Sequence, residues 1–337
     1  MERGAGERRF VSDLRFPFVR IPQASMMMHK SNVPNGWLAF ELSVLRRLKF
    51  RSVAVACAGE PDLGLYLKHW GVRVVVNDVA RWATTKAQAH IENNTEQLSE
   101  ADVELALEDA YVPRYKLQNQ SLRRWFNETD AWWFDNVRRN CERLESPMAR
   151  ALALSIGMSV GDYALSFNEE TRELRQPLSQ VFRRLWQAQP APVDNKQHNE
   201  SFNQDARRFI AEQQTNLLYL RLPRARREGE RRRDSLSAWR EEWLRGEDAF
   251  WDELEAARAG RLGAFVSTRQ QYLRLVEDLL QTAAHLPAWA IAHTDNGFVS
   301  TNELVETIAR VRKVETIYSK DFSELTGTRA AIITAVS

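Results

Sequence analysis

The chain alternates between short solid apolar runs and longer stretches whose apolar residues recur every three to four positions. Residues 36–48 place Trp37, Leu38, Phe40, Leu42, Leu45 and Leu48 at helical spacing, which predicts a helix with one buried face. Residues 52–58 form a short apolar run of the kind found in parallel strands covered on both sides. Residues 63–70 return to the helical period and stop at Gly71, a helix-closing glycine. Residues 72–76 are again solidly apolar and end at Asn77-Asp78, which completes a βαβ unit.

From 80 to 186 the pattern is almost wholly helical. Ser99 with Asp102, and Ser146 before Pro147, are helix-start signals, the second opening a helix through 149–158. Residues 187–203 are polar and carry prolines, so they read as a linker or mobile loop. A helix over 205–213 and a strand over 216–222 follow. Residues 234–258 then read as one long amphipathic helix, with Leu236, Trp239, Trp243, Phe250, Trp251 and Leu254 near one side. The remaining expectations are a helix at 272–280, a strand at 288–293, a helix at 302–311 and closing strands at 314–318 and 331–336. Ser300 and Glu303 form a capping box for the last helix.

The predicted fold class is α/β: a Rossmann-like sheet flanked by helices, with a large helical insertion. The expected organisation is an N-terminal extension at 1–20, an α/β domain built from 21–83 and 187–337, and the insertion at 84–186.

Composition adds limits. With 337 residues, 44% hydrophobic and 27% charged, the chain resembles soluble globular proteins. No apolar run reaches the roughly 18 residues of a membrane helix, and the nearest, 151–167, holds Asp162 and two glycines. No membrane partner and a cytoplasmic location are therefore expected. Cys57 and Cys141 are too few for a disulfide framework. The six histidines lack metal-ligand spacing, so no metal is expected. There is no phosphate-cradling P-loop, and Ser155-Ile156-Gly157 is not framed as a nucleophile elbow.

The net charge of +2 conceals a basic segment. Arg221, Arg224, Arg226, Arg227, Arg231, Arg232 and Arg233 face only Glu228 and Glu230, an excess of five positive charges over thirteen residues. Such a run is either a solvated face or a phosphate-tracking patch. Arg123 and Arg124, beside Trp125, Trp132 and Trp133, form a second candidate nucleic-acid contact.

Candidate binding chemistry centres on the turn Ala58-Gly59-Glu60-Pro61-Asp62-Leu63-Gly64. Glycine there lets backbone approach a ligand, and the following helix start favours polar groups. Asp78, at the tip of the next strand, stands where doubly wound folds hold a ribose. The structural alternative is an ordinary βαβ turn in which Asp78 caps the next helix.

These segments together resemble the Dam-type DNA adenine methyltransferases. His29-Lys30-Ser31 corresponds to the family's Gly-Ser-Lys cofactor motif, the 58–64 turn to Phe-x-Gly-x-Gly, and Asn77-Asp78 to the Asn-Asp after the second strand. Phe126-Asn127-Glu128-Thr129-Asp130-Ala131 resembles the helical segment of larger members. Residues 290–297 resemble the Leu-Ser-Tyr-Asn-Asp-x-Gly strand. The resemblance spans roughly residues 18–320. It implies a site for S-adenosylmethionine formed by Lys30, Ala58, Gly59, Gly64 and Asp78, and a target-recognition role for the helical interval. It also implies a double-stranded DNA partner, with protein partners in a restriction or antiviral-defence assembly.

One motif departs. The family's Asp-Pro-Pro-Tyr accepts hydrogen bonds from the target amino group and stacks on the flipped base. Here Tyr219-Leu220 is followed by Arg221, Leu222, Pro223 and Arg224. Arginine accepts no hydrogen bond and sets a cation where positive charge develops on the attacked nitrogen. Pro61 removes an amide donor from the cofactor turn. The leading expectation is a catalytically degenerate member that binds DNA or serves as a subunit of a DNA-processing or defence assembly, and that can take S-adenosylmethionine but does not require it. The alternatives are an active enzyme in which Asp78 holds the cofactor and Asp295 serves the target, and a protein-interaction subunit without DNA binding.

Overall fold

The computed structural model describes residues 36–168, 170–226, 235, 237–295, 298–322 and 328–336. Lys30 of the cofactor motif, with His29 and Ser31, and Arg227, Arg231, Arg232 and Arg233 of the basic segment lie outside the described residues, as does the N-terminal extension.

The described strands are β1 (Ser52–Ala56), β2 (Arg73–Asn77), β3 (Glu200–Phe202), β4 (Leu217–Arg221), β5 (Ala288–Asp295), β6 (Val314–Phe322) and β7 (Thr328–Val336). They form one seven-stranded sheet in the order β3-β2-β1-β4-β5-β7-β6. The first five of that order run parallel, and β7 is antiparallel to both β5 and β6. This is the mixed α/β, Rossmann-like architecture expected, with its topological switch between β1 and β4.

The central strands are solidly apolar because both faces are covered. Val53 and Val55 of β1 join Val74, Val76, Leu217 and Tyr219 in one core cluster. Ala54 and Ala56 alternate to the other face with Val75, Leu218 and Leu220. The first cluster lies beneath helices α1 (Trp37–Leu45) and α2 (Asp62–His69). Between β2 and the long central helices stand α3 (Arg81–Ala87), a π-helical turn at Gln88–Glu92, and α4 (Glu100–Leu107).

The helical unit is built on α5 (Glu128–Cys141), α6 (Pro147–Leu165) and α7 (Leu178–Gln187). Both start signals act as read: Ser99 accepts from the Asp102 amide in a reciprocal box, and Ser146 accepts from Met148 and Ala149. The second face of the sheet carries α8 (Ala206–Glu212) together with α11 (Arg269–Thr282) and α12 (Thr301–Val311). Ser300 and Glu303 close the expected capping box on α12.

Two expectations are corrected. The 234–258 stretch is two helices among its described residues, α9 (Ala238–Arg245) and α10 (Phe250–Ala257). Gly246 at φ 81° turns the chain between them. Glycine takes that left-handed conformation without steric cost, and it overrides the amphipathic pattern on either side. The 187–203 stretch is not a plain linker. It ends in β3, held to the edge of β2 by Asn199, whose Oδ1 accepts from the Val74 amide at 2.9 Å. Asn195 Nδ2 donates to the Val72 carbonyl at 2.8 Å. Polar side chains dock this strand, so its sequence lacks the apolar signature of the inner strands.

The helical core also draws on residues beyond the expected insertion. Trp239 and Trp243 of α9 are fully buried among Phe134, Val137 and the α6 helix. Gly157 and Gly161 supply the room: a Cβ on Gly161 would collide with the Trp239 ring, and one on Gly157 with Trp243.

Candidate functional site

In open α/β sheets ligands bind beyond the carboxyl ends of the strands at the switch point. Here that crevice lies between the ends of β1 and β4. Strand β1 stops one residue before Cys57, which takes φ 56°, and Gly59 follows at φ 63°. The chain thus turns sharply after the strand and enters α2 through Pro61. Cys57 is half-buried just past the strand, rather than inside it as expected.

Strand β4 brings Arg221 to the other wall, and this side chain reaches across to the turn after β1. Its Nε donates to Glu41 Oε1 at 2.8 Å and its Nη2 to Glu41 Oε2 at 2.7 Å, a paired fork. Its Nη1 donates to the Ala58 carbonyl at 2.6 Å. Tyr219 completes the cluster, its hydroxyl donating to Glu41 Oε1 at 2.9 Å. Glu41 is wholly buried. Burial opposes the charge on Arg221, yet the adjacent Glu41 carboxylate holds the guanidinium above its usual range. Burial and the Glu41 charge push the Tyr219 hydroxyl well up.

Around the turn, Asp78 is engaged through both oxygens. Oδ2 accepts from the Gly59 amide at 2.9 Å and Oδ1 from the Ala80 amide at 2.8 Å, at the start of α3. Asp78 therefore braces the turn and the residue before α3, while the first amides of α3, those of Arg81 and Trp82, are taken by Glu241 of α9, each at 3.1 Å. Glu60 reaches across to Lys86 at 2.8 Å and Arg240 at 2.6 Å. Arg240 also pairs with Asp162 and lies over the Trp82 ring at 4.8 Å. Burial works against the Glu60 charge, but Lys86 and Arg240 together hold its carboxyl below the usual range. Burial raises Asp62, and the Glu60 charge adds to that. Gly64 has a packing role: a Cβ there would meet Ile91 Cδ1 at 2.5 Å. It brings α2 against the π-helical turn.

The other expected residues fall in several places. Leu222 continues the β4 ladder through its amide to the Ala292 carbonyl at 3.0 Å, and the Pro223 carbonyl accepts from the Tyr272 hydroxyl at 2.8 Å. Arg224 is exposed. Arg226 turns inward, with Nη1 at 2.9 Å from both Glu255 oxygens and its guanidinium over Phe265 at 4.3 Å. The charge count along the segment therefore overstates what it offers to solvent, because Glu255 comes from a distant helix. Arg123 and Arg124 are exposed in the helical unit, Arg123 within 3.5 Å of Glu128 and Arg124 over Trp125. The structure thus brings Ala58, Gly59, Asp78 and Arg221 together and separates them from Arg123 and Arg124. Asp295 ends β5, where it accepts from the Thr301 amide at 3.4 Å.

Sequence reasoning missed Glu41, Lys86 and Arg240. Glu41 had a signal, an acid set between Phe40 and Leu42 on an apolar helix. Asp162, read only as a break in an apolar run, is the partner of Arg240.

Among the described residues, those expected to hold S-adenosylmethionine do not fit it as they stand. The cofactor's sulfonium is a cation, and the crevice already holds the guanidinium of Arg221 locked to its own carboxylate. The Ala58 carbonyl and the Gly59 amide, backbone groups a ligand would use, are bonded within the protein. Among the described residues no group of three or more His, Cys, Asp or Glu could hold a metal ion. No described helix is long and apolar enough to cross a membrane. Comparison with known proteins finds no matching family model and no matching relative among curated proteins.

Proposed function

We propose that this chain is a DNA-binding protein on a methyltransferase-like scaffold that no longer transfers methyl groups. The observation that carries the reading is the Arg221 fork on Glu41 and the Ala58 carbonyl, in the switch-point crevice. A half-buried arginine offers the target amino group no acceptor and opposes the charge that methyl transfer would develop there. The parallel sheet with one reversed strand near its end, and Asp78 bound to the Gly59 amide, support descent from a cofactor-binding scaffold. DNA as the partner follows from the Dam-type resemblance and from the exposed Arg123, Arg124 and Arg224. A restriction or antiviral-defence assembly is the setting this resemblance suggests.

Calorimetric titration with S-adenosylmethionine, beside a methyl-incorporation assay on adenine-containing duplex, tests the reading. The expected result is no saturable heat and no incorporation, with DNA affinity that falls as salt rises. Incorporation abolished by Asp78→Ala would overturn it in favour of an active enzyme.

A further inference from the structure

Residues 111–124 carry Arg114, Lys116, Arg123 and Arg124 and no carboxylate. Six consecutive residues, 111–116, are exposed. At their tip Tyr115 is fully exposed, its relative exposure reaching 106%, with Val112 at 49%. Exposed tyrosines occur singly on many surfaces. What sets this one apart is how the loop beneath it is held.

One helix grips both feet of the loop with buried polar side chains. Asn136 Nδ2 donates to the carbonyls of Asp109 at 3.2 Å, Ala110 at 3.0 Å and Val112 at 3.0 Å. Its neighbour Asp135 accepts from the Gln118 amide at 2.9 Å and the Asn119 amide at 3.2 Å. One turn on, Asn140 Nδ2 reaches the Glu108 carbonyl at 2.7 Å. Asp135 and Asn136 are wholly buried. Fixing the backbone this firmly removes the ordering cost that a flexible loop would meet on binding. Burial holds the Arg139 guanidinium of the gripping helix below its usual range, and the charge of Arg114 adds to that against the opposing pull of Asp135.

We propose that this loop is a contact for unpaired DNA, in which Tyr115 stacks on an exposed base and Arg114 and Lys116 meet the flanking phosphates. An aromatic face between cations suits single strands, since every base has a π-face and stacking does not depend on sequence. In an intact duplex the bases are already stacked, so Tyr115 has no face to meet. The inference rests on the DNA-binding reading and adds a substrate preference to it: strands with unpaired stretches over blunt duplex.

Fluorescence anisotropy of the full chain tests it, with fluorescein-labelled oligothymidine and a blunt duplex of equal length as probes. Wild type is expected to bind the single strand more tightly. Tyr115→Ala should weaken that binding about tenfold, with Tyr115→Trp close to wild type. Affinity for the duplex should move by less than about twofold. The Arg114→Gln/Lys116→Gln pair should flatten the single-strand salt slope by about 1.4. Because Tyr115 touches no core, circular dichroism should show each variant folded. Equal single-strand affinity in Tyr115→Ala, or a wild type that favours the duplex, overturns the inference while leaving DNA binding intact. No affinity for either probe at low salt overturns both.

Discussion

Arg221 is the residue on which the proposed reading turns. The sequence shows a cation where the Dam-type family keeps an acid. The structure adds its partner, Glu41, which stands 180 residues away in the chain. That partner could not be read locally, because Glu41 looks like an interruption in an apolar helix until β4 is laid beside it. Removing one member of a buried pair leaves the other charged and unpaired, at a cost of about 3–5 kcal/mol. Arg221 retains one-fifth of its side-chain exposure, which softens the effect. Arg221→Met is therefore expected to lower the unfolding free energy by about 3 kcal/mol in urea titration. Arg221→Met/Glu41→Gln should lose less than Arg221→Met alone, since glutamine keeps an acceptor for Tyr219 and removes the stranded charge. A double variant weaker than the single would show that the fork is not what holds Glu41 in place.

At the scale of elements, strong periodicity and capping chemistry carried most of the fold. The βαβ opening, the capping boxes at Ser99 and Ser300 and the final strands stand where their local patterns put them. Two elements escaped because a local rule was outweighed. Gly246 breaks the amphipathic stretch into α9 and α10, and asparagine side chains help dock β3, whose large apolar residue is Phe202 alone. The glycines of α6 are a third case. Ser155-Ile156-Gly157 lies inside a helix and is not a nucleophile elbow, and its glycine serves shape, making room for Trp243 as Gly161 does for Trp239. Helix propensity alone would have Gly161→Ala stabilise α6 by about 1 kcal/mol. Packing predicts the opposite sign, since the added methyl meets an indole held on all sides, and overpacking costs about 1–3 kcal/mol. A thermal midpoint lower than wild type is the expected result. A higher one would mean that the α6–α9 contact is loose enough to absorb a methyl group.

The whole molecule joins two cores, the sheet with its covering helices and the helical unit clustered on Trp133, Phe134, Trp239 and Trp243. The sequence reads as an α/β sheet interrupted by a helical stretch, but the contribution of α9 to the helical core was not legible, because α9 lies far beyond that stretch in sequence. Nor was the tie between the cores, whose members come from four separate segments. Glu60 leaves the turn after β1 and meets Lys86, while Arg240 joins Glu60 to Asp162 of α6. Arg240 is nearly buried, and it lies on Trp82 as well. If this network couples the two cores, cutting it should separate their unfolding. Most of the tryptophans lie in or against the helical core, so their fluorescence follows that core, whereas far-ultraviolet circular dichroism follows both. Wild type is expected to show coincident transitions by the two probes, the behaviour of a single cooperative unit. Arg240→Gln should keep the sheet transition near its place and move the fluorescence transition to lower denaturant. Coincident transitions in that variant, shifted together, would mean that apolar contact between the cores, and not the Glu60–Arg240–Asp162 chain, makes the protein fold as one.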